Sequence, residues 1–200
     1  MQNKKYKIIL GSSSPRRREL LEYTALKFEV VTADIEEVSR YELPEDIVKD
    51  LAIQKAAAVY NKLDSEDIFV IGADTIVVKD NTLLGKPKTM SAARQMLMSL
   101  SHSSHDVLTG VSFVAKDLCY SFAVTTKVFF DEIDLDILED YIDSKDSLDK
   151  AGAYGIQGQA MSFVSRVDGS YSNVVGLPIS DVIKHLELCF KEKKWRDLFE

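Results

Sequence analysis

The sequence predicts an α/β protein with a mixed sheet flanked by helices. Short apolar runs that suit buried strands alternate with longer segments whose apolar residues recur at helical spacing. These segments do not follow one strict strand–helix–strand repeat, which favours a mixed sheet with an inserted β-rich section. With 200 residues, of which 46% are hydrophobic, the chain can bury a substantial core, and we expect a single domain over residues 1–200.

Local signals set the order of the predicted elements. Pro15 suits the first position of a helix and Ser14 its N-cap, while Pro44 opens a second helix that contains Lys55. A central strand is predicted for IFVIGADTIVV, because its apolar residues run along both faces. Other strands are expected at YKIIL, FEVVTA, DVLTGVSFVAK, CYSFAVTTKVFF and AMSFVSRVDGSY, and TLLGKP is expected to be a short return strand and a loop. Further helices are expected at MSAARQMLMSL, residues 135–142 and PISDVIKHLELCF, and KEKKWRDLFE is expected to be a polar helix end or tail.

Composition excludes several classes of protein. The formal net charge of −7 argues against broad binding to nucleic acid, which needs a basic surface. No apolar run approaches the roughly 18 residues that span a bilayer. The apolar run near the N-terminus, of about four residues, is shorter than that of a signal peptide. We therefore expect a cytoplasmic protein with no stable nucleic-acid partner and no membrane partner. Cys119 and Cys189 are expected to be reduced, partly buried thiols.

The stretch GSSSPRRRELL, residues 11–21, predicts an anion-binding site. A strand, a small polar loop and a helix N-terminus present free N–H groups and the positive end of the helix dipole. Arg16 and Arg17 oppose that dipole unless an anion lies beside them, and Ser12 and Ser14 add hydroxyl donors. The alternative from these residues alone is an N-cap followed by solvated arginines.

Carboxylates and a lysine form a second group of candidates. Asp74 interrupts the central strand, and an aspartate is rarely buried without a partner or a chemical role. A buried salt bridge is the alternative for this residue. Lys86 lies in a Gly-Lys-Pro tripeptide whose backbone aims its ammonium. Glu37 follows a strand as one of a pair of glutamates, Glu36 and Glu37. Without other evidence, such a pair is expected to be ordinary surface carboxylates.

Two further segments carry polar residues of interest. DKAGAYGIQG has three glycines spaced three residues apart, but no Walker pattern follows. Its Gln157 offers an amide donor and acceptor to a nucleotide base, with a plain irregular loop as the alternative. His102 and His105 form an HSSH sequence in a predicted serine-rich turn, where we expect a structural loop rather than a zinc site.

Together these candidates predict hydrolysis of a nucleoside triphosphate. Serines, arginines and lysines suit a polyphosphate, whereas two carboxylates suit a divalent cation and an activated water. The residues alone do not specify which phosphoanhydride bond breaks.

Eight segments of the chain resemble, in order, the Maf-type nucleoside triphosphate pyrophosphatases, a septum-formation-inhibitor-like family. They are SSSPRRRELL, ADIEE, LAIQKA, GADTIVV, LGKP, VLTGV, DKAGAYGIQG and YSNVVGLP, and they span residues 12–178. The resemblance implies a mixed α/β fold with two lobes around a deep cleft, similar to inosine-triphosphate pyrophosphatases. It also implies cleavage between the α and β phosphates with a divalent cation, Mg²⁺ or Mn²⁺, and a homodimer.

The resemblance also implies roles for individual residues. Asp74 would be the proton acceptor that activates water, and Glu37 would assist in binding metal or water. The phosphates would be held by Ser12, Arg17, Lys55 and Lys86.

Three residues resemble the branch of the family that acts on dTTP and UTP: Arg16, Thr75 and Gln157. An amide can pair with the O4 and N3–H edge of thymine or uracil, which supports this assignment. The sequence departs from the family pattern at Glu36, where aspartate is usual, and at the serine before His105. Two alternatives remain: a pyrophosphatase of different base specificity, and a nucleotide-binding regulator of cell division. Paired carboxylates argue against the regulator, because without metal they would weaken anion binding.

Overall fold

The computed structural model describes residues 5–24, 26–190 and 199, and the strands in this part of the chain form one mixed sheet. The strands are β1 Lys7–Gly11, β2 Phe28–Val30, β3 Ile68–Lys79, β4 Thr82–Leu84, β5 Ser104–Ala115, β6 Leu118–Phe130 and β7 Val164–Asp168. Their order is β2-β1-β3-β5-β6-β7, and β4 pairs with the end of β3. β1 is parallel to β2 and β3, whereas β4 and β7 run antiparallel to β3 and β6. The predicted mixed sheet is confirmed.

Helices flank this sheet, as predicted. They are α1 Pro15–Glu22, α2 Pro44–Leu63, α3 Met90–Leu100, α4 Leu135–Asp143, α5 Tyr171–Val175 and α6 Ile179–Cys189. Short 3₁₀ helices occur at Ala151–Ala153 and Gly158–Phe163. Ser14 caps α1 and Pro15 opens it, because capping and proline signals act locally. No helix of the described residues has the length and hydropathy needed to cross a membrane.

The chain divides into two compact units, in keeping with two lobes. Unit 1 comprises Met1–Asp74, Thr109–Val124 and Gly176–Glu200. It contains the parallel strands β2 and β1 with the first part of β3, and the helices α1, α2 and α6. Its core includes a cluster in which Ile9 and Val70 of the sheet join Ala56 and Val59 of α2.

Unit 2 comprises Thr75–Leu108 and Thr125–Val175. It contains the hairpin that β4 forms with the last part of β3, the antiparallel pair of β6 and β7, and helices α3, α4 and α5. Its buried aromatic cluster packs Phe130 against Tyr154 and Phe163, with Tyr141 edge-on to Phe163. The single-domain prediction over residues 1–200 stays a prediction.

Several local predictions were wrong. AMSFVSRVDGSY is not one strand, because a 3₁₀ helix runs to Phe163 and only Val164–Asp168 is extended. His105 lies in β5 and is buried, rather than in a turn. Both cysteines are free as predicted, but Cys119 is exposed. The predicted polar tail KEKKWRDLFE lies outside the described residues except for Phe199, which forms an isolated parallel bridge with Tyr6.

Candidate active site

Helix α2 lies unusually close to the sheet of unit 1, and this closeness places Lys55. A Cβ atom at Gly72 of β3 would lie 2.5 Å from the carbonyl oxygen of Ala52. At Gly110 of β5 a Cβ would collide with the backbone carbonyl of Val48. The Ser112 hydroxyl donates to the same Ala52 carbonyl at 2.7 Å. Only glycine at positions 72 and 110 allows this approach, and the Ser112 hydroxyl adds a hydrogen bond to the helix. These three sheet residues fix the position of the helix that carries Lys55.

The Lys55 ammonium contacts both of the carboxylates proposed from the sequence. Its Nζ lies 2.5 Å from Asp74 Oδ1 and 2.9 Å from Glu37 Oε2. The Asp74 side chain is 12% exposed and that of Lys55 is 18% exposed, whereas that of Glu37 is half exposed. The two acids therefore share one cation at the border between the interior and solvent, where a carboxylate can still reach water or a ligand.

The serine loop and helix α1 form the predicted anion-binding geometry. The backbone N–H of Arg17 donates to Ser14 Oγ at 3.5 Å, the N-cap bond of the helix. The hydroxyl oxygen of Ser12 accepts from the Ser14 N–H at 3.2 Å and from Arg17 Nη1 at 3.3 Å. Arg17 Nε donates to the carbonyl oxygen of Gly176 at 2.8 Å. The guanidinium is thus oriented by the serine loop and by the chain after α5.

Strand register brings this loop to the side of Asp74. β1 ends at Gly11, which pairs with Gly72 of the parallel strand β3, and Asp74 follows two residues later. β3 continues to Lys79, so Asp74 lies on the part of β3 that extends past the end of β1, where the serine loop begins. The region beyond the carboxyl end of a parallel strand is where α/β proteins commonly bind ligands.

The charges of both proposed acids, Asp74 and Glu37, act on the guanidinium of Arg17. Burial lowers the pKa of its guanidinium, the Asp74 carboxylate opposes this by raising it, Arg16 lowers it and Glu37 raises it. An arginine pKa is high enough that the side chain stays a cation regardless. Arg16 is half-buried beside it. Arg18, in contrast, is exposed and pairs with Glu22 of the same helix.

Unit 2 holds the other predicted site residues. Lys86 is exposed in the loop after β4, and Gln157 is half-buried at the start of a 3₁₀ helix. The two loops are joined, since the Gly152 N–H donates to the Gly85 carbonyl oxygen at 3.2 Å. Thr75 follows Asp74 directly in β3 and is half-buried.

The glycine-rich loop, residues 149–158, packs on the side chain of its own buried lysine, Lys150. The side chain of Lys150 is only 8% exposed, and its Nζ contacts Asp149 Oδ1 at 2.7 Å and Asp146 Oδ1 at 3.1 Å. A Cβ at Gly155 would lie 2.9 Å from Lys150 Cε, so the loop backbone rests on the lysine stem. The sequence reasoning missed this support, as it missed Gly176, Gly72 and Gly110.

Thus the structure gathers six of the predicted residues within unit 1 as two contacting sets. Ser12, Ser14 and Arg17 form one set, and Glu37, Lys55 and Asp74 form the other. The charges of Asp74 and Glu37 act on Arg17 and link the two sets. The chemistry available there is anion binding by N–H groups and cations, with two carboxylates beside it. In the described part of the chain, no three His, Cys, Asp or Glu side chains cluster so as to hold a metal by themselves.

The family follows from comparison with known proteins. The model of the Maf-like protein family matches residues 7–189. The chain belongs to the Maf family. A dTTP/UTP pyrophosphatase of Bacillus thuringiensis subsp. konkukian is 46% identical to this Maf protein over 182 residues, 90% of this chain and 94% of the relative. A dTTP/UTP pyrophosphatase of Bacillus cereus is 47% identical over 182 residues, 90% of this chain and 89% of the relative.

Solved structures show a more distant similarity to this Maf protein. The Ham1 protein of Staphylococcus aureus is 15% identical, with a TM-score of 0.45 over 62% of this chain and 71% of that chain. A dITP/XTP pyrophosphatase of Mycobacterium abscessus is 14% identical, with a TM-score of 0.43 over 62% of this chain and 74% of that one.

Proposed function

We propose that this Maf protein hydrolyses dTTP and UTP between the α and β phosphates, giving a nucleoside monophosphate and pyrophosphate. This reaction would remove canonical or modified pyrimidine nucleotides as a house-cleaning activity. The observation that carries the proposal is the contact of one ammonium, that of Lys55, with both Asp74 and Glu37 beside the serine loop. A passive anion-binding site gains nothing from two carboxylates, whereas a hydrolytic site uses them. The dTTP/UTP pyrophosphatases of two Bacillus species, at 46% and 47% identity, support the same reaction.

Asp74 is the proposed general base. Its carboxylate would take the proton from the water that attacks the phosphoanhydride. Lys55 holds Asp74 Oδ1 at 2.5 Å, which fixes the orientation of the carboxylate. Oδ2, the other oxygen of the same carboxylate, would receive the proton.

The phosphates are the proposed ligands of the serine loop. The N-terminus of α1, the guanidinium of Arg17 and the hydroxyls of Ser12 and Ser14 supply donors for anionic oxygens. Lys86 would add a further positive charge from the loop after β4.

The donor set fits a divalent cation that binds together with the nucleotide. Asp74 and Glu37 supply hard oxygen donors, and Mg²⁺ typically takes one or two carboxylates plus phosphate oxygens and waters. Mg²⁺ or Mn²⁺ would neutralise phosphate charge and lower the pKa of a bound water. Because Lys55 contacts both acids, its ammonium would have to give up part of these contacts when the cation binds.

Base recognition is assigned to Arg16, Thr75 and Gln157. The Gln157 amide has both a donor and an acceptor, which matches the O4 and N3–H edge of uracil and thymine. A glutamate could not offer both at neutral pH.

A product assay tests the proposal directly. Purified protein is incubated with Mg²⁺ or Mn²⁺ and a panel of nucleoside triphosphates, and the phosphorus products are identified. Monophosphate and pyrophosphate from dTTP and UTP, lost on addition of EDTA, are expected. Orthophosphate and diphosphate would place the cut at another bond. Tight nucleotide binding without any turnover would favour a regulator of cell division, and equal activity on purines would favour a different base specificity.

The wider setting belongs to the same proposal. We propose a cytoplasmic homodimer without a stable nucleic-acid or membrane partner, in keeping with the net charge of −7. Sedimentation of the purified protein checks the dimer, and a monomer at micromolar concentration would contradict it.

A further inference from the structure

A buried histidine–tyrosine pair in unit 2 takes no part in the proposed chemistry. His105 on β5 is 3% exposed and Tyr154 is 5% exposed. Nε2 of His105 lies 2.7 Å from the Tyr154 hydroxyl. The two rings meet edge-on with centroids 5.3 Å apart, and each also meets Phe130 edge-on. The pair is therefore a directed polar contact inside an aromatic cluster.

Both members of the pair are neutral near pH 7. Burial, with a smaller effect of Lys79, lowers the pKa of His105 to about 4. Burial also raises the pKa of the Tyr154 hydroxyl, so that it keeps its proton.

The direction of the hydrogen bond follows from the unmatched atoms. Among the described residues, His105 Nδ1 has no hydrogen-bond partner. If the Tyr154 hydroxyl donates to Nε2, only the Nδ1–H is left unmatched within the described chain. The opposite direction would leave both the hydroxyl hydrogen and the Nδ1 lone pair unmatched there. Buried unmatched groups are costly, so Tyr154 is the donor and His105 the acceptor.

Tyr154 directly follows a strained turn. Gly152 has φ of 70° and Ala153 has φ of 63°, and only glycine adopts such angles without a steric cost. A Cβ at Gly152 would lie 2.9 Å from a methyl carbon of Val77, so the turn is pressed against β3. A residue with positive φ such as Ala153 persists where neighbouring contacts over-determine it. The Tyr154 contact is the neighbouring side-chain anchor, and Gln157 lies three residues further on.

We propose that His105 is a positioning residue for base recognition. By accepting the hydrogen bond of Tyr154, it holds the strained turn and so sets where Gln157 presents its amide. The inference rests on the proposed function, in which Gln157 contacts the base. An amide distinguishes donor from acceptor edges only when its own orientation is fixed, so a loosened turn would blur the distinction between UTP and CTP.

Tyr154→Phe tests the inference with the ring packing retained. Tyr120→Phe is the matched control, since the Tyr120 hydroxyl also lies 2.7 Å from a histidine nitrogen, that of His185 in unit 1. Loss of one neutral hydrogen bond is expected to lower the UTP-to-CTP ratio of kcat/KM by about fivefold in Tyr154→Phe, and to leave it unchanged in Tyr120→Phe. Adding His105→Gln to Tyr154→Phe should lower the ratio no further, because both changes break one contact.

Amide hydrogen exchange gives a second readout that does not depend on turnover. Exchange in residues 152–158 is expected to quicken in Tyr154→Phe and not in Tyr120→Phe. An unchanged UTP-to-CTP ratio in Tyr154→Phe overturns the inference, as does an equal fall in the control. A wild-type protein without preference for UTP would refute base reading itself. In that case, unchanged exchange in Tyr154→Phe would also refute the claim that the Tyr154–His105 hydrogen bond holds the turn. Faster exchange would support that claim and leave only the role in base recognition refuted.

Discussion

Arg17 donates through Nε to the carbonyl oxygen of Gly176 at 2.8 Å, joining residues 159 positions apart in the sequence. Gly176 has φ of 125°, a conformation in which an L side chain is strained. The same guanidinium contacts Ser12 Oγ through Nη1, so two of its edges are occupied by the protein. The geometry of an arginine fork is therefore part of the site, in addition to its charge.

Replacing Arg17 by lysine should weaken nucleotide binding although the charge is kept. One ammonium cannot contact Gly176, Ser12 and a phosphate in the way a planar fork does. We expect KM for UTP to rise about tenfold, the equivalent of one charge-assisted hydrogen bond. Arg18→Lys is the matched control, because Arg18 is exposed and pairs with Glu22. Equal values of KM in the two variants would show that charge alone matters.

Asp74→Asn should remove the general base and leave binding in place. The amide keeps the shape of the side chain and cannot take a proton from water. We expect kcat to fall by about 10² to 10⁴, with the dissociation constant for nucleotide changed little. Asp80→Asn, in the exposed turn after β3, controls for loss of one negative charge. Turnover of Asp74→Asn near the wild-type level would exclude this role.

Gln157→Glu should redistribute activity among bases. The carboxylate can only accept, so it opposes the O4 oxygen of uracil or thymine and kcat/KM for UTP should fall about tenfold or more. Activity on nucleotides that offer donors at this edge should fall less. Gln159→Glu introduces the same charge at an exposed position two residues away. A uniform fall over all bases would indicate a role for the backbone instead.

Gly110→Ala should loosen helix α2. The new methyl group would collide with the Val48 carbonyl, and backbone cannot yield as a side chain does. We expect the free energy of unfolding in urea to fall by about 1–3 kcal/mol, with a loss of activity because Lys55 moves with the helix. Gly85→Ala is the control for stability, since its Cβ would meet no atom within 4 Å. Equal stability of the two variants would mean that helix α2 can move away from the sheet at Gly110 without a cost in free energy.

Acid should destabilise the fold through His105. The unfolded chain takes up a proton on this histidine below pH 6.5, whereas the folded chain does so only near its lowered pKa of about 4. Stability therefore falls as pH decreases from 6.5 towards 4, by up to about 3 kcal/mol for this group.

A histidine variant isolates this contribution. The difference in unfolding free energy between wild type and His105→Asn should shrink by about 2 kcal/mol between pH 6.5 and 5. A constant difference for His105→Asn would mean that the folded chain binds the proton as readily as the unfolded chain.

The parts of the site that depend only on residues adjacent in the sequence could be predicted from the sequence. Ser14 and Pro15 define the start of α1 by local capping rules, and the serine loop before them follows from the strand. The contact between Lys55 and Asp74 could not be derived in this way, because it requires α2 to touch the sheet at Gly72 and Gly110. The family resemblance implies both residues without this geometry, and their catalytic roles stay predictions.

His105 shows a signal that was present and missed. The serines around it suggested a turn, yet His105 and Val107 are both buried two residues apart, the spacing of one face of a strand. Gly176 carried no comparable signal. Its carbonyl is recognised by a residue of another segment, and no local pattern of side chains marks a carbonyl as an acceptor.

The stem of Lys150 fills the space that a side chain at position 155 would need. A larger residue at position 155 alone would push the Lys150 ammonium away from Asp146 and Asp149. A shorter residue at position 150 alone would remove the ammonium from those two acids and leave a gap beside the loop backbone. Over the descent of this lineage, positions 150 and 155 are therefore expected to be exchanged as a pair.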